Sequence, residues 1–257
     1  MTDTGTTKRD YQAPALEKGL EIIEYLSDQS VPQGMMDIAL ALGRSRNEIY
    51  RMLVVLERRG YLARQNDDRY ELTSRLFEVA MRTPPRRNLH DAAMPMMHRL
   101  AETLYQSCHL VVRSYDDMIV VARVESPDLL GFAVRMGYRR PIVYSTSGRI
   151  LFALTSESAQ QEWMESLRES AGSPKDFESF LSDAAKIATK GYHVGPSAFV
   201  DAVTDLGAPI YDDESEGVAA TLVIPFVSGR SARCSIDEAV NELRATAAAI
   251  SSALKNG

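Results

Sequence analysis

The sequence is poor in the residues that build disulfide frameworks and metal sites. Its 257 residues include only two cysteines and four histidines. Cys108 and Cys234 are far apart, and no histidine stands at ligand spacing from a cysteine or a carboxylate. The sequence therefore predicts buried free thiols, with no disulfide, no metal site and no cofactor.

Long apolar runs are also missing. No run approaches the ~20 residues that a membrane-spanning helix needs. The N-terminal segment MTDTGTTKRD is polar and contains no apolar signal-peptide core. These absences predict a cytoplasmic protein with no membrane partner, and residues 1–13 are expected to be disordered.

The chain lacks an overall excess of positive charge. It has 29 lysines and arginines against 35 acidic residues, a net charge of −6. This balance excludes the strongly basic profile of a non-specific nucleic-acid coat. Residues 44–87 differ from the rest, because they contain 11 arginines and only 6 acidic residues. Such a segment directs one part of an acidic chain towards phosphates.

The segment Gly34–Tyr61 has the pattern of two helices joined by a tight turn. Gly43 follows the first helix at the position where a left-handed residue costs least. Ser45 and Glu48 have the spacing of a capping box, which begins the second helix. The buried face of that helix is predicted from four apolar residues at helical spacing, namely Ile49, Met52, Leu53 and Leu56.

The opposite face of the second helix carries basic and amide side chains. Arginine can bridge guanine O6 and N7, and asparagine can bridge adenine N6 and N7. In a helix-turn-helix protein, the first turns of this helix enter the major groove of DNA. The candidate DNA-binding residues here are Ser45, Arg46, Asn47, Tyr50, Arg51 and Arg58. The alternative is a solvated polar face on an ordinary pair of helices.

The flanking segments extend this pair of helices to a winged helix-turn-helix, predicted for residues 14–82. Upstream, Ala15–Leu26 is amphipathic, and its predicted apolar side contains Leu16, Leu20, Ile23 and Leu26. Downstream, two strand-like runs are separated by the polar residues 65–68. Arg64 and Arg69 flank the tip of this hairpin, where they can reach a phosphate or a minor groove. A plain surface hairpin is the alternative.

Two prolines in the segment Thr83–Arg87 mark the domain boundary. A linker helix is predicted for residues 83–106, with helical apolar spacing from Asn88 to Gln106. Pro95 is expected to kink this helix or to start its second segment. Its apolar edge can serve a dimer contact or pack against its own domain.

Residues 107–257 mix strands and helices, which predicts an α+β domain with an antiparallel sheet. Strands are predicted at His109–Tyr115, Met118–Val124, Phe132–Met136, Ile142–Tyr144, Val203–Tyr211 and Gly217–Val227. Helices are predicted at Gly148–Thr155, Ser158–Ser170, Pro174–Lys190 and Ile236–Leu254.

Several segments match one family in the right order, namely Ala15–Leu20, Ile49–Leu53, Leu56–Leu62, Ala122–Pro127 and Ser145–Arg149. Over nearly its whole length the chain resembles an IclR-type transcriptional regulator. The resemblance implies a dimer or tetramer that binds double-stranded operator DNA through its N-terminal domain. It also implies a GAF-like C-terminal sensor domain that binds a small-molecule effector, often an organic acid or an aromatic compound. Either repression or activation is compatible with it.

The resemblance also implies an effector site. In the family the effector lies against the segment here formed by Tyr144, Ser145, Thr146, Ser147 and Gly148, whose hydroxyls and helix-start amides suit a carboxylate. On the other wall the sequence departs from the family pattern. Asp205 stands where a cysteine is usual, and Leu222 and Ile224 replace small polar residues.

We therefore expect a reshaped pocket in which Asp205 accepts a hydrogen bond from a hydroxyl or an amine of the effector. The alternative is that Asp205 caps a strand or faces water, because an unpaired buried charge is costly.

Two further functions were weighed against a regulator. Asp201 and Asp205, near His193, can act as an acid–base pair in an enzyme, but no nucleophile elbow, phosphate loop or metal constellation accompanies them. A winged helix can also serve as a protein-interaction module that does not bind DNA. The local excess of arginine argues against that module. The sequence thus predicts no catalytic residues.

Overall fold

The computed structural model describes residues 13–82, 84–129, 131–197, 200–213, 217–229 and 233–255. Two of the predictions fall at least partly outside them: residues 1–12 of the segment 1–13, for which disorder is predicted, and the boundary residue Thr83. The chain divides into two compact units, Met1–Pro84 and Pro85–Gly257.

The N-terminal unit combines helices with a small sheet. Its elements are α1 Pro14–Ser27, β1 Gln33–Gly34, α2 Met35–Ala41, α3 Arg46–Arg58, β2 Leu62–Arg64, β3 Arg69–Leu72 and α4 Arg75–Met81. The central strand of the sheet is β3, which pairs antiparallel with both β1 and β2. The predicted winged helix-turn-helix is therefore present.

Local sequence signals explain how α2 and α3 are joined. Gly43 has a φ of 60° and Gly60 a φ of 77°, so both glycines adopt the left-handed conformation that ends a helix. The capping box of Ser45 and Glu48 is confirmed at the start of α3. In α3, Ile49 and Leu53 are fully buried.

The buried face of α1 differs from the prediction. Leu16 is 63% exposed and Leu20 48% exposed, whereas Ile22 and Leu26 lie in the core with α2 and α3. Because Ile22 and Ile23 are adjacent, two apolar stripes were possible along this helix. The stripe that contains Ile22 and Leu26, four residues apart, is the one that packs.

The C-terminal unit is built on one antiparallel sheet. Its elements are α5 Pro84–Leu104, β4 Cys108–Ser114, β5 Asp117–Val124, β6 Arg139–Pro141, a 3-10 turn Ile142–Tyr144, α6 Thr146–Ala153, α7 Glu157–Ser170, α8 Pro174–Lys190, β7 His193–Pro196, β8 Val203–Tyr211, β9 Val218–Val227 and α9 Ile236–Lys255. Six strands lie in the order β6-β5-β4-β9-β8-β7, and neighbouring strands are antiparallel.

The two faces of this sheet support different structures. One face packs against α5 and α9 in the largest apolar cluster, to which Met97, Leu100, Leu222 and Leu243 belong. The other face meets α6, and Leu151 of α6 packs against Val111 and Val223 of the sheet. Since side chains alternate along a strand, each of the central strands contributes to both faces.

Two secondary-structure predictions need correction. The segment Phe132–Met136 forms no strand, and Ile142–Tyr144 is a 3-10 turn. The strand that joins the sheet here is β6, which pairs with β5. Ile142 and Val143 are both fully buried, so their neighbourhood has no strand-like alternation to detect.

One further strand was not predicted, and the linker helix was predicted only in part. The edge strand β7 was not predicted, since it contains Gly195 and Pro196, which are both rare in strands. The linker helix α5 continues through Pro95, so no second segment begins there, and a kink at this proline stays a prediction.

No helix in the described part of the chain combines the length and the apolar character needed to span a membrane.

Candidate functional site

The start of α3 is held by a network of polar contacts. Ser45 Oγ accepts from the Glu48 backbone N–H at 3.4 Å and donates to the Glu48 carboxylate at 2.6 Å. Lys18 Nζ donates to the same carboxylate at 2.5 Å. The hydrogen bonds from Lys18 and Ser45 lower the pKa of Glu48 to about 2. The side chain of Ser45 is therefore engaged in capping the helix.

The predicted base-reading residues lie on the open face of α3. Arg46, Asn47, Arg51 and Arg58 are exposed, and Tyr50 is 52% exposed. Within the described part of the chain, neither Asn47 nor any of these three arginines has a hydrogen-bond or ion-pair partner. This helix face therefore presents cationic and amide groups that are free to meet DNA.

The wing arginines are held differently. Arg64 contacts the Asp68 carboxylate at 2.6 Å, and Arg69 contacts the Asp67 carboxylate at 3.0 Å. All four side chains are largely exposed, so these pairs contribute little to stability. A DNA phosphate would have to replace the carboxylate partner of each arginine.

The C-terminal unit contains a cavity of about 210 Å³ between the sheet and the start of α6. Its described lining residues are His109, Met118, Phe132, Val134, Tyr138, Ser145, Thr146, Ser147, Ser197, Asp205, Val223 and Pro225. Four of the predicted effector-site residues, Ser145, Thr146, Ser147 and Asp205, are thus brought together.

Asp205 is attached to the start of α6. Thr146 is the first residue of this helix, and its Oγ1 donates to Asp205 Oδ2 at 3.2 Å. Burial raises the pKa of Asp205, while hydrogen bonds from Thr146 and Ser197 and the charge of Arg140 lower it. Asp205 is partly buried, lies within β8 and lines the cavity wall.

The other predicted effector residues lie elsewhere. Tyr144 Oη accepts from the Gly172 N–H at 2.5 Å and contacts Asp176, away from the cavity lining. Gly148 has a packing role, because an added Cβ would lie 2.5 Å from the Ile142 carbonyl oxygen.

Leu222 and Ile224 also correct the predicted lining. Both are buried in the cluster that packs against α5 and α9. Their neighbours Val223 and Pro225 line the cavity instead. The cause is the alternation of side chains along β9, which places residues 222 and 224 on the far face of the sheet.

His109 is a cavity residue that the sequence analysis did not single out. It is only 6% exposed, and burial lowers its pKa to about 4, so the ring is neutral at physiological pH. Its buried Nδ1 has no hydrogen-bond partner among the described residues. A histidine inside an otherwise apolar strand was the available signal.

Within the described residues, neither the cysteines nor the potential metal-ligating side chains form a further functional site. Cys108 Sγ lies 3.5 Å from the Met97 carbonyl oxygen, and burial raises the pKa of this thiol to about 12. In the described part of the chain, no three histidines, cysteines or acidic residues gather as metal ligands.

Comparison with known proteins identifies the family. The family model for the C-terminal domain of bacterial IclR transcriptional regulators matches residues 82–252, and the model for the IclR helix-turn-helix domain matches residues 15–66. The chain belongs to the IclR family. Its predicted family, its fold class and its regulatory function are thereby confirmed.

Similar proteins cover almost the whole IclR-family chain. The HTH-type transcriptional repressor AllR of Escherichia coli K12 is 25% identical over 252 residues, which span 94% of this chain and 90% of AllR. AllR of Salmonella typhi is 24% identical over 249 residues, with the same coverage of 94% and 90%. The relatives are regulators of transcription and not enzymes, so the enzyme interpretation has no support.

Solved structures share the fold. An IclR homolog from Microbacterium hydrocarbonoxydans, complexed with 4-hydroxybenzoate, superposes with a TM-score of 0.78 at 22% identity and covers 95% of this chain and 100% of its own. The IclR regulator of Alicyclobacillus acidocaldarius gives a TM-score of 0.74 at 23% identity, with coverage of 95% and 99%.

Proposed function

We propose that this IclR-family regulator is a repressor that binds a palindromic operator as a dimer or tetramer and loses operator affinity when a small molecule occupies its cavity. The observation that carries the proposal is the exposed face of α3, where Arg46, Asn47 and Arg51 have no partner among the described residues. Repression is proposed because AllR, which matches along most of its length, is a repressor. A bacterial regulator of this kind acts in the cytoplasm, where the chromosome lies.

Each DNA-binding side chain is assigned a role. Arg46 and Asn47, in the first turn of α3, read base edges in the major groove. Tyr50, Arg51 and Arg58 position the helix through phosphates, as do the wing residues Arg64 and Arg69. Ser45 contributes indirectly, because its side chain caps the start of α3. A two-fold dimer then requires half-sites about one helical turn apart.

The effector is proposed to act through the sheet of the C-terminal unit. Val223 lines the cavity, while Leu222 and Ile224 of the same strand support α5 from the other side. A ligand that shifts β9 therefore changes the surface on which the linker helix packs. Such coupling between two sites is typically worth ~1–3 kcal/mol, and it needs different ligand affinities in the two states.

Fluorescence anisotropy tests the proposal directly. The purified full-length protein is titrated onto labelled DNA from upstream of its own gene, with unlabelled competitor and a salt series. The proposal expects tight, competitor-resistant binding that weakens with salt. Arg46→Ala should weaken this binding, while Lys175→Ala, which removes an exposed charge from α8, should leave it unchanged.

Binding of the wild type that is no tighter than to random DNA, across the upstream and neighbouring intergenic regions and with candidate ligands present, would overturn the proposal. It would favour the protein-interaction module.

A further inference from the structure

Among the described residues that line it, the cavity carries one negative charge and no positive charge. Of the described residues that line it, Asp205 is the only charged one, since His109 is neutral. None of these lining residues is a lysine or an arginine. A carboxylate ligand would therefore find no cation in the wall to neutralise it.

A carboxylate of the protein already lies beside the helix end that suits an anion. The N-terminal end of a helix attracts negative charge through its free amides and its dipole. Asp205 lies at that end of α6, where Thr146 Oγ1 donates to its carboxylate at 3.2 Å. A second carboxylate here would meet the first in a low-dielectric space, where like charges repel strongly.

The other lining residues indicate the size and polarity of the rest of the ligand. Met118, Phe132, Val134 and Val223 give the cavity an apolar lining. Its volume of about 210 Å³ exceeds the ~150 Å³ that holds a benzene molecule in an engineered protein cavity. A molecule with one ring, or an aliphatic body of similar size, fills such a space.

We propose that the effector of this regulator is a small amine whose ammonium group pairs with Asp205 and whose apolar body fills the cavity. This inference rests on the proposed function, because it names the class of molecule that the regulator senses. The buried Nδ1 of His109 is available to a second polar group of the same ligand. Because the imidazole ring is neutral, it does not repel a cation.

Arg140 is not among the described residues that line the cavity. It acts on Asp205 from the edge strand β6, where its charge lowers the pKa of this carboxyl while burial raises it. Asp205 is partly buried and is the one charged group among the described lining residues, so a bound ammonium group gains a charged partner there.

Three compounds that share one ring and differ in charge test the proposal. Benzylamine, benzyl alcohol and benzoate are titrated into the full-length protein by calorimetry at millimolar concentrations. The wild type is expected to bind benzylamine at least about tenfold more tightly than benzoate, as a charge-assisted hydrogen bond predicts. Asp205→Asn should lose about tenfold or more in benzylamine affinity and should gain affinity for benzoate.

Asp201→Asn is the matched control, because it removes an exposed carboxylate only four positions away. Its ligand preference should equal that of the wild type. Thermal melting of both variants checks that each is folded. Wild-type protein that prefers benzoate, an unchanged preference in Asp205→Asn, or no detectable benzylamine binding would each overturn the proposal.

The same preparations separate this inference from the proposed function. If the protein binds its operator and benzoate releases it while benzylamine does not, the regulator stands and the amine inference fails. If benzylamine binds through Asp205 but no operator is bound, the cavity assignment stands and the proposed function fails.

Discussion

His109 of β4 and Val223 of β9 form a cross-strand pair, and both side chains face the cavity. The next pair along the same strands, Leu110 with Leu222, faces the opposite side of the sheet and packs in the cluster with α5 and α9. One layer of backbone thus separates the cavity from the core that supports the linker helix. A ligand that displaces β4 or β9 in the cavity therefore also displaces side chains of the cluster in which α5 packs.

The first prediction concerns base reading. Arg46→Ala should weaken binding to the preferred operator by ~1–3 kcal/mol per lost base contact and should relax the preference at one position of each half-site. Anisotropy titrations across single-base operator variants measure this effect. An equal loss on every variant would show that Arg46 contacts phosphate and not a base.

The second prediction concerns phosphate contacts. Arg58→Ala should weaken binding about equally on all DNA sequences and reduce the salt slope by about one, because one released counterion is lost. Arg64→Ala should have a smaller effect, since Arg64 must first leave Asp68. The measurement is the slope of log affinity against log salt concentration for each variant. An unchanged slope for Arg58→Ala would show that Arg58 does not contact a phosphate.

The third prediction uses two neighbouring positions on opposite faces of β9. Val223→Met should extend into the cavity and lower ligand affinity at least about tenfold, since it takes the space of the ligand's apolar body. Leu222→Met is the matched control, because an exchange of similar volume in the core usually costs less than ~1.5 kcal/mol. Calorimetric titrations of both variants should therefore differ, and equal affinities would contradict the assigned faces.

The fourth prediction is a pH dependence that arises from His109. Burial lowers its pKa from 6.5 to about 4, so between these values the unfolded chain binds a proton that the folded chain does not. Stability of the C-terminal unit should therefore fall as the pH decreases from 6.5 to about 4. His109→Gln should reduce this loss.

His193 must be compared in the same measurement, because its pKa is also lowered to about 4, with burial as the largest cause. His193→Gln should remove its own part of the loss, and the double variant should remove more than either. Fluorescence of Trp163, the only tryptophan of the chain, reports unfolding of this unit specifically. A stability curve for His109→Gln that is parallel to the wild type between these pH values would refute the prediction.

Elements whose signals are local in the sequence were predictable. The α3 helix carries its cap at Ser45, its apolar face at Ile49 and Leu53, and its terminating glycine within one segment. The strand β1 was missed because its two residues, Gln33 and Gly34, are defined only by their pairing with Tyr70 and Arg69. Such non-local pairing leaves no periodic pattern.

The lining of the cavity was predictable only in part. Ser145, Thr146 and Ser147 were found because the family resemblance implies an effector against this segment, and Asp205 because it departs from the family pattern. The orientation of β9 was not readable, since residues 220–226 are all buried and show no polar alternation. Without that alternation, nothing in the sequence assigns Leu222 to one face and Val223 to the other.

The central claim is that cavity and operator are linked, and ligand titration in the presence and absence of operator DNA tests it most directly. The ligand is whichever of the three one-ring compounds binds the cavity. Linkage requires the operator to weaken ligand binding by the same factor by which the ligand weakens operator binding. We predict a several-fold weaker ligand affinity for the DNA-saturated protein. Identical ligand affinities with and without operator would contradict the account.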